Sequence, residues 1–261
     1  IYRYNMTKHK KQHYIPQSYL QAWSDPQCPK DQEPYVWLFS KDGKDARKKF
    51  PKNIFHEKDM YTINFEGGIR NLALEHGLSQ LESSFANLRN QKINTRQNLS
   101  SEDRTILCAF AAAMQARTKA QREHQRKQWG GALEMMDSMI EQMKKATPEQ
   151  REAMSSLSSH SHSKGGSISY EEVKNIVENP LQNLLIPMVN TSAPLLCRLD
   201  LSIVVTDSEI GFITSDEPCV WYDPKAYTRP PLYRAPALIY ETIEITLPIS
   251  PNAMLYLNRQ G

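Results

Sequence analysis

The sequence predicts an α+β fold, with a helix-rich centre and strands toward both ends. Three observations carry this. Apolar residues recur at helical spacing through the middle of the chain, as in Leu74, Leu78, Leu81, Phe85 and Leu88. Runs rich in β-branched and aromatic residues lie near the start, Tyr35–Phe39, and again from Arg198 onward. With 261 residues, 39% of them hydrophobic, the chain is long enough to bury a sizeable core. The strands of the two ends are expected to meet in one mainly antiparallel sheet. A single domain is expected over residues 6–261, with residues 130–170 as a protruding helical arm and a Ser-rich mobile loop.

Taken in order, Pro16 suits the first turn of a short helix in which Tyr19, Leu20 and Trp23 face a core. Tyr35–Phe39 reads as a strand, followed by a tight turn at Lys41–Lys44, and a second short strand is expected around Met60–Ile63. From Asn71 to Arg89 the apolar stripe predicts a helix. Ser100 and Asp103 fit a capping box opening a long helix to about Gln128, which Gly130 and Gly131 are expected to break. Met135, Met136, Met139, Ile140 and Met143 then form an apolar stripe on a resumed helix. Ser155–Ser169, containing His160 and His162, is low in complexity and reads as a loop. Glu171–Asn179 and Leu181–Val189 are helical. After Leu196 strands are expected at Arg198–Val205, Gly211–Thr214, Ile239–Leu247 and Ala253–Leu257, the first two as a hairpin.

A formal charge of +3 implies no general attraction to nucleic acid or membrane, yet basic residues cluster locally at Lys8–Lys11 and Lys41–Lys52. Four cysteines lie far apart without a CxxC pair, as expected of free thiols in a reducing compartment. The longest apolar run, Ile106–Met114, is too short to span a bilayer, and a cytoplasmic location is expected.

The polar residues at special places are few. Glu75 and Glu82 stand two turns apart on one helix, beside its apolar stripe. Arg117 points into an apolar face and needs an anion: Glu75, Glu82, Asp216 or a ligand phosphate. Asp216 sits in Gly211–Pro218, where a strand end delivers Thr, Ser and Asp to a turn closed by Pro218.

Several stretches together resemble one family, the bacterial, archaeal and viral domain-of-unknown-function family 4238. They are His13–Leu20, Glu57–Thr62, Leu74–Glu82, Phe110–Thr118, Phe212–Pro218 and Leu247–Asn252. The resemblance implies that His13, Glu75, Glu82, Arg117 and Asp216 belong to the family pattern, and that Glu217 departs from it where members usually have Asn. Arg117 and His124 also share the spacing of the Arg–His signature of HEPN-type ribonucleases.

Residue types and resemblance together lead to the expectation of a metal-dependent phosphodiesterase or nuclease, acting on DNA or RNA in phage defence or as a toxin. In it, Glu75, Glu82 and Asp216 would hold Mg²⁺ or Mn²⁺, His13 and Arg117 would be catalytic, and Lys10, Lys11, Lys48 and Lys49 would attract the nucleic-acid backbone. The alternative is a non-enzymatic interaction module. There Arg117 and the carboxylates form a structural ion-pair cluster, and residues 132–145 make a homo-oligomer contact.

Overall fold

A computed structural model of the chain describes residues 11–152 and 168–259. The α+β class holds, with antiparallel strands toward both ends and helices between them. The strands of the two ends do not join, however. Near the start, β1 (Lys11–His13) pairs with β4 (His56–Lys58), β2 (Val36–Phe39) with β3 (Ala46–Lys49), and β5 (Ile63–Asn64) with β6 (Arg70–Asn71). The C-terminal part builds its own four-stranded sheet from β7 (Asp200–Val205), β8 (Val220–Tyr222), β9 (Glu244–Ser250) and β10 (Ala253–Asn258), in the order β7-β10-β9-β8.

The C-terminal sheet follows from alternation. Ile245, Leu247 and Ile249 of β9 and Ala253, Leu255 and Leu257 of β10 all turn to the core, with the residues between them only partly covered. β7 is claimed by β10, Ile203 opposite Leu255 and Leu201 opposite Leu257. The expected hairpin with Gly211–Thr214 therefore does not form, and Gly211–Pro218 contains no strand.

Between the sheets run α1 (Gln17–Leu20), α2 (Ala73–Leu88), α3 (Ser101–Ala116), α4 (Lys119–Lys145), α5 (Tyr170–Glu178) and α6 (Pro180–Leu196). The capping box at Ser100 and Asp103 opens α3 as expected. The break does not fall at Gly130 and Gly131, which α4 carries in its interior. It falls at Arg117 and Thr118, where Thr118 turns extended and its hydroxyl accepts the Gln121 amide hydrogen to cap a new helix. Two glycines cost about 1 kcal/mol each in a helix. Side chains from α4 to α5 help to hold this one, Tyr170 donating to Asp137 and Arg126 to the Val177 carbonyl.

The core gathers residues from α1, α2, α3, α6, β9 and β10, and at its middle the Phe85 and Phe110 rings stack 3.6 Å apart. Among the described residues, no helix is long and apolar enough to cross a membrane.

The two ends of the chain meet through α1 and the short turn after it. The Tyr19 hydroxyl donates to the Pro248 carbonyl at 2.8 Å and lies 2.7 Å from the Thr214 hydroxyl, while the Trp23 indole donates to the Phe212 carbonyl at 2.8 Å. Phe212 is itself fixed by donating its amide hydrogen to the Pro251 carbonyl at 2.7 Å. Beside it, a Cβ on Gly211 would stand 2.5 Å from the Pro251 carbonyl oxygen, closer than backbone permits. Gly211→Ala is therefore expected to lower unfolding free energy by about 1–3 kcal/mol in denaturant titration, the usual scale of overpacking. An unchanged midpoint would show that the turn is not pinned at Pro251.

Candidate functional site

The polar residues separate into two groups. The first is organised by Arg117, whose side chain is only 2% exposed. At the corner between α3 and α4 its guanidinium is drawn inward and all three nitrogens donate. Nε donates to the Tyr61 hydroxyl at 3.2 Å, Nη1 to Glu82 Oε1 at 2.7 Å, and Nη2 to the His13 carbonyl at 2.5 Å. Burial works against the charge, but Tyr61 and Glu82 outweigh it and hold the guanidinium above its ordinary value. Loss of either partner of such a buried pair costs about 3–5 kcal/mol.

His13 thus serves Arg117 with its backbone rather than its ring. The imidazole of His13 lies 3.3 Å from the Lys52 carbonyl through Nε2 and 3.4 Å from the Gln17 amide through Nδ1. A carbonyl only accepts, so Nε2 carries a hydrogen, and with the Gln17 amide NH₂ donating to Nδ1 the ring is the neutral tautomer. Burial, and then the His56 ring 5.2 Å away across the β1–β4 pair, push its pKa down to about 4.

Glu75 is the member without a partner. Its Oε2 is buried and accepts no hydrogen bond, the three Arg117 nitrogens being directed to Tyr61, Glu82 and the His13 carbonyl. Burial raises the carboxyl, Arg117 pulls the other way, and the like charge of Glu82 adds to the rise, which reaches about 7.

Asp216 belongs to the second group. It is exposed, on the turn Thr214–Glu217, which forms one wall of a cleft of about 960 Å³. β2 and the turn after it also line the cleft, with Val36, Trp37 (46% exposed), Leu38, Phe39 (63% exposed) and Lys41, and Trp23 and Phe55 add further aromatic lining. Trp37 is held in place: its indole donates to Asp25 Oδ2 at 2.9 Å, which also accepts from the Tyr35 hydroxyl, and Lys48 Nζ lies 5.2 Å from its ring centre. Beyond the turn, Glu217 also lines a smaller pocket of about 190 Å³ with Gln115, Thr118, Gln121, His124 and Cys219. The charge of Asp216 is felt by Tyr14, whose phenol is raised by burial first, then by Asp216 and Glu57, against the pull of Lys119.

Glu75, Glu82, His13 and Arg117 are thus gathered in one cluster, and Asp216 lies apart from it on the cleft. The described residues contain no group of three His, Cys, Asp or Glu side chains placed to hold a metal ion. Glu75, Glu82 and Asp216 therefore do not fit a shared Mg²⁺ or Mn²⁺. The Arg117–His124 spacing also loses its meaning: a helix break separates the two, and Arg117 is buried while His124 is exposed. Lys48 lies over the Tyr35 and Trp37 rings, Lys49 is half-buried on β3 and Lys11 is exposed. Lys10, His160 and His162 lie outside the described residues.

Sequence reasoning missed Tyr61, the aromatic cleft and the smaller pocket. A signal was present in Val36–Phe39, four apolar residues in a row paired with the charged Arg47–Lys49, a pattern that leaves apolar surface needing a neighbour.

Beyond its own geometry, the chain matches one family model, described as "Protein of unknown function (DUF4238)", over residues 11–261. No curated protein and no solved structure matches it.

The Arg117 cluster has a titration signature. Glu75 binds its proton more tightly in the folded chain, about 7 against an ordinary 4.5, so its stabilising effect is full below 4.5 and lost as pH rises through 7. His13 runs oppositely: its effect is full above 6.5 and lost as pH falls toward 4. In thermal melts from pH 4 to 8, Glu75→Gln is expected to match the native chain near pH 4.5. At pH 8 it should melt about 2–4 °C higher. A parallel shift at every pH would contradict this assignment.

Proposed function

The chain belongs to that family, and from this premise we propose that it engages nucleic acid, with unstacked bases in the aromatic cleft and phosphates along the lysines of the β2–β3 hairpin. The observation that carries the reading is the hairpin itself. Trp37 and Phe39 are exposed on one strand and basic residues occupy its partner, the combination that single-strand binders use. Every base has a π-face, so a fixed aromatic ring accepts one at about 1–3 kcal/mol. Several of the basic groups already have acidic neighbours, Arg47 with Asp45 and Lys52 with Glu33. Lys41 forms no ion pair among the described residues and is free for a phosphate.

Hydrolysis of the bound strand, in phage defence or as a toxin, is the extension of this reading. Its place would be the Thr214–Glu217 turn, where carboxylates of Asp216 and Glu217 meet the strand, with His124 in the adjoining pocket. The cluster around Arg117 supports the fold in this reading and takes no part in the reaction.

Fluorescence polarisation with labelled single-stranded RNA and DNA tests the binding, and the same samples on a gel test cleavage. Trp37→Ala is expected to weaken binding about 10-fold or more. Lys41→Gln should flatten the dependence of affinity on salt. Binding untouched by both changes would remove the cleft from the reading, and a strand left intact on the gel would limit it to binding.

A second reading, self-association, is favoured by the second half of α4. Met135 (67% exposed), Met139, Ile140 and Met143 form an open apolar stripe there. If it holds, light scattering should give a dimer mass for the native chain and a monomer mass for Met139→Glu. A native monomer at micromolar concentration would overturn it.

A further inference from the structure

We infer that the loop between β8 and β9, residues 223–240, is a docking surface for an anionic lipid bilayer; the inference stands apart from the cleft and does not rest on the nucleic-acid reading. The sequence already sets this stretch off. Residues 224–240 hold three basic residues, Lys225, Arg229 and Arg234, and no Asp or Glu, in a chain whose formal charge is only +3. Pro230, Pro231 and Pro236 withhold backbone donors, and apart from single turns at Ala226–Thr228 and Pro231–Tyr233 the loop is neither helix nor strand.

Its conformation is nevertheless held. Asp223 is buried and accepts from Arg229, from the Thr242 hydroxyl at 2.7 Å and from the Lys225 amide at 3.0 Å. The Arg229 guanidinium in turn lies 3.7 Å from the centre of the Tyr240 ring. Tyr240 donates its hydroxyl hydrogen to the Tyr233 carbonyl at 2.9 Å, and Arg259, just past β10, donates to the Leu238 carbonyl at 2.7 Å. Even so, the apolar side chains stay in water: Leu232 is 84% and Ile239 78% exposed, and Tyr227 and Tyr233 are exposed with them. The Tyr240–Tyr233 bond ties the arm carrying Ile239 to the arm carrying Leu232, so the aliphatic pair belongs to one patch. A single solvated leucine is ordinary, but an apolar patch on a braced loop calls for a partner. Bracing also means that docking costs little further chain entropy.

The charges on the loop decide which partner. Lys225, Arg234 and Arg259 are exposed and form no ion pair among the described residues. The acids nearest in sequence are Asp223, taken up by Arg229, and Glu241 just beyond the loop. Aliphatic side chains, tyrosines and a basic rim match, in that order, the acyl boundary, the interface and the headgroups of an anionic leaflet. A nucleic acid would meet the basic rim but leave Leu232 and Ile239 in water. A second copy docked about a twofold axis would set basic rim against basic rim.

Co-sedimentation with vesicles of phosphatidylcholine alone, and of an equal mixture of phosphatidylcholine and phosphatidylglycerol, tests the inference. The native chain is expected to bind the anionic vesicles about 10-fold or more tightly than the neutral ones, and to lose that margin in high salt. Leu232→Ser together with Ile239→Ser should weaken anionic binding about 10-fold or more. Lys225→Gln together with Arg234→Gln should remove the preference for anionic vesicles. These positions are exposed, and unchanged melting temperatures are the control for folding. Equal binding to both kinds of vesicle, or to neither, would overturn the inference, as would anionic binding that the serine changes leave untouched. If the loop variants instead lose single-stranded RNA or DNA in the polarisation assay and no vesicle is bound, the loop belongs to a nucleic-acid surface and the bilayer assignment falls. Vesicle binding by a chain that ignores single strands would uphold the loop and remove only the reading of the cleft.

Discussion

The structure depends on one buried charge. Arg117 is nearly inaccessible, and an uncompensated cation there would be too costly for a domain of ordinary stability. It is tolerated because three separate parts of the chain are brought to it: the end of β1, the segment carrying Tyr61, and the α2 face carrying Glu82. The path of the helices turns at the same place. At the same residue α3 ends, after Ala116, and α4 begins afresh with the Thr118 cap. That corner then places Thr118 and His124 beside Glu217. A stabilising interaction and the geometry of the candidate site are in this way one arrangement.

The two acidic groups of the chain show how environment divides residues of the same type. Glu82 receives an Arg117 nitrogen directly; Glu75, on the same helix, has the charge nearby and no bond from it. Its proton affinity rises into the neutral range as a result of burial and of a like-charged neighbour. Asp216 and Glu217 stand in the opposite situation, at the surface and facing a hollow.

Much of the helical layout was legible in the sequence because apolar spacing and capping signals agree, as in α2 and at Ser100 with Asp103. The corner at Arg117 was not. Met114 to Gln121 is a run with no Gly or Pro, and it reads as helix from end to end until the tertiary demand of the arginine is known. Gly130 and Gly131 misled for the converse reason, since their local cost is small against the rest of a 27-residue helix. Among the strands, β9 and β10 alternate clearly, whereas Gly211–Pro218 depends on a backbone neighbour at Pro251 that no local pattern announces. The candidate polar residues were visible as a set, but a one-dimensional reading merged two places into one: His13 enters the Arg117 cluster by its carbonyl, and Asp216 faces a cleft whose aromatic wall lies far away in sequence.

That distance has a consequence for the chain while it is being made. The cleft is lined by Trp37 and Phe39 from early in the chain and by Ile213–Glu217 from late in it, and the bonds that join these parts, Tyr19 to Thr214 and to Pro248, span 195 and 229 residues. A ribosome-bound chain displays the aromatic hairpin long before the turn exists, so neither half alone amounts to a site. Whatever the cleft holds, only a chain made past Pro251 can hold it. The bonds from Tyr19 are therefore a check that synthesis has passed Pro251 before the cleft is closed.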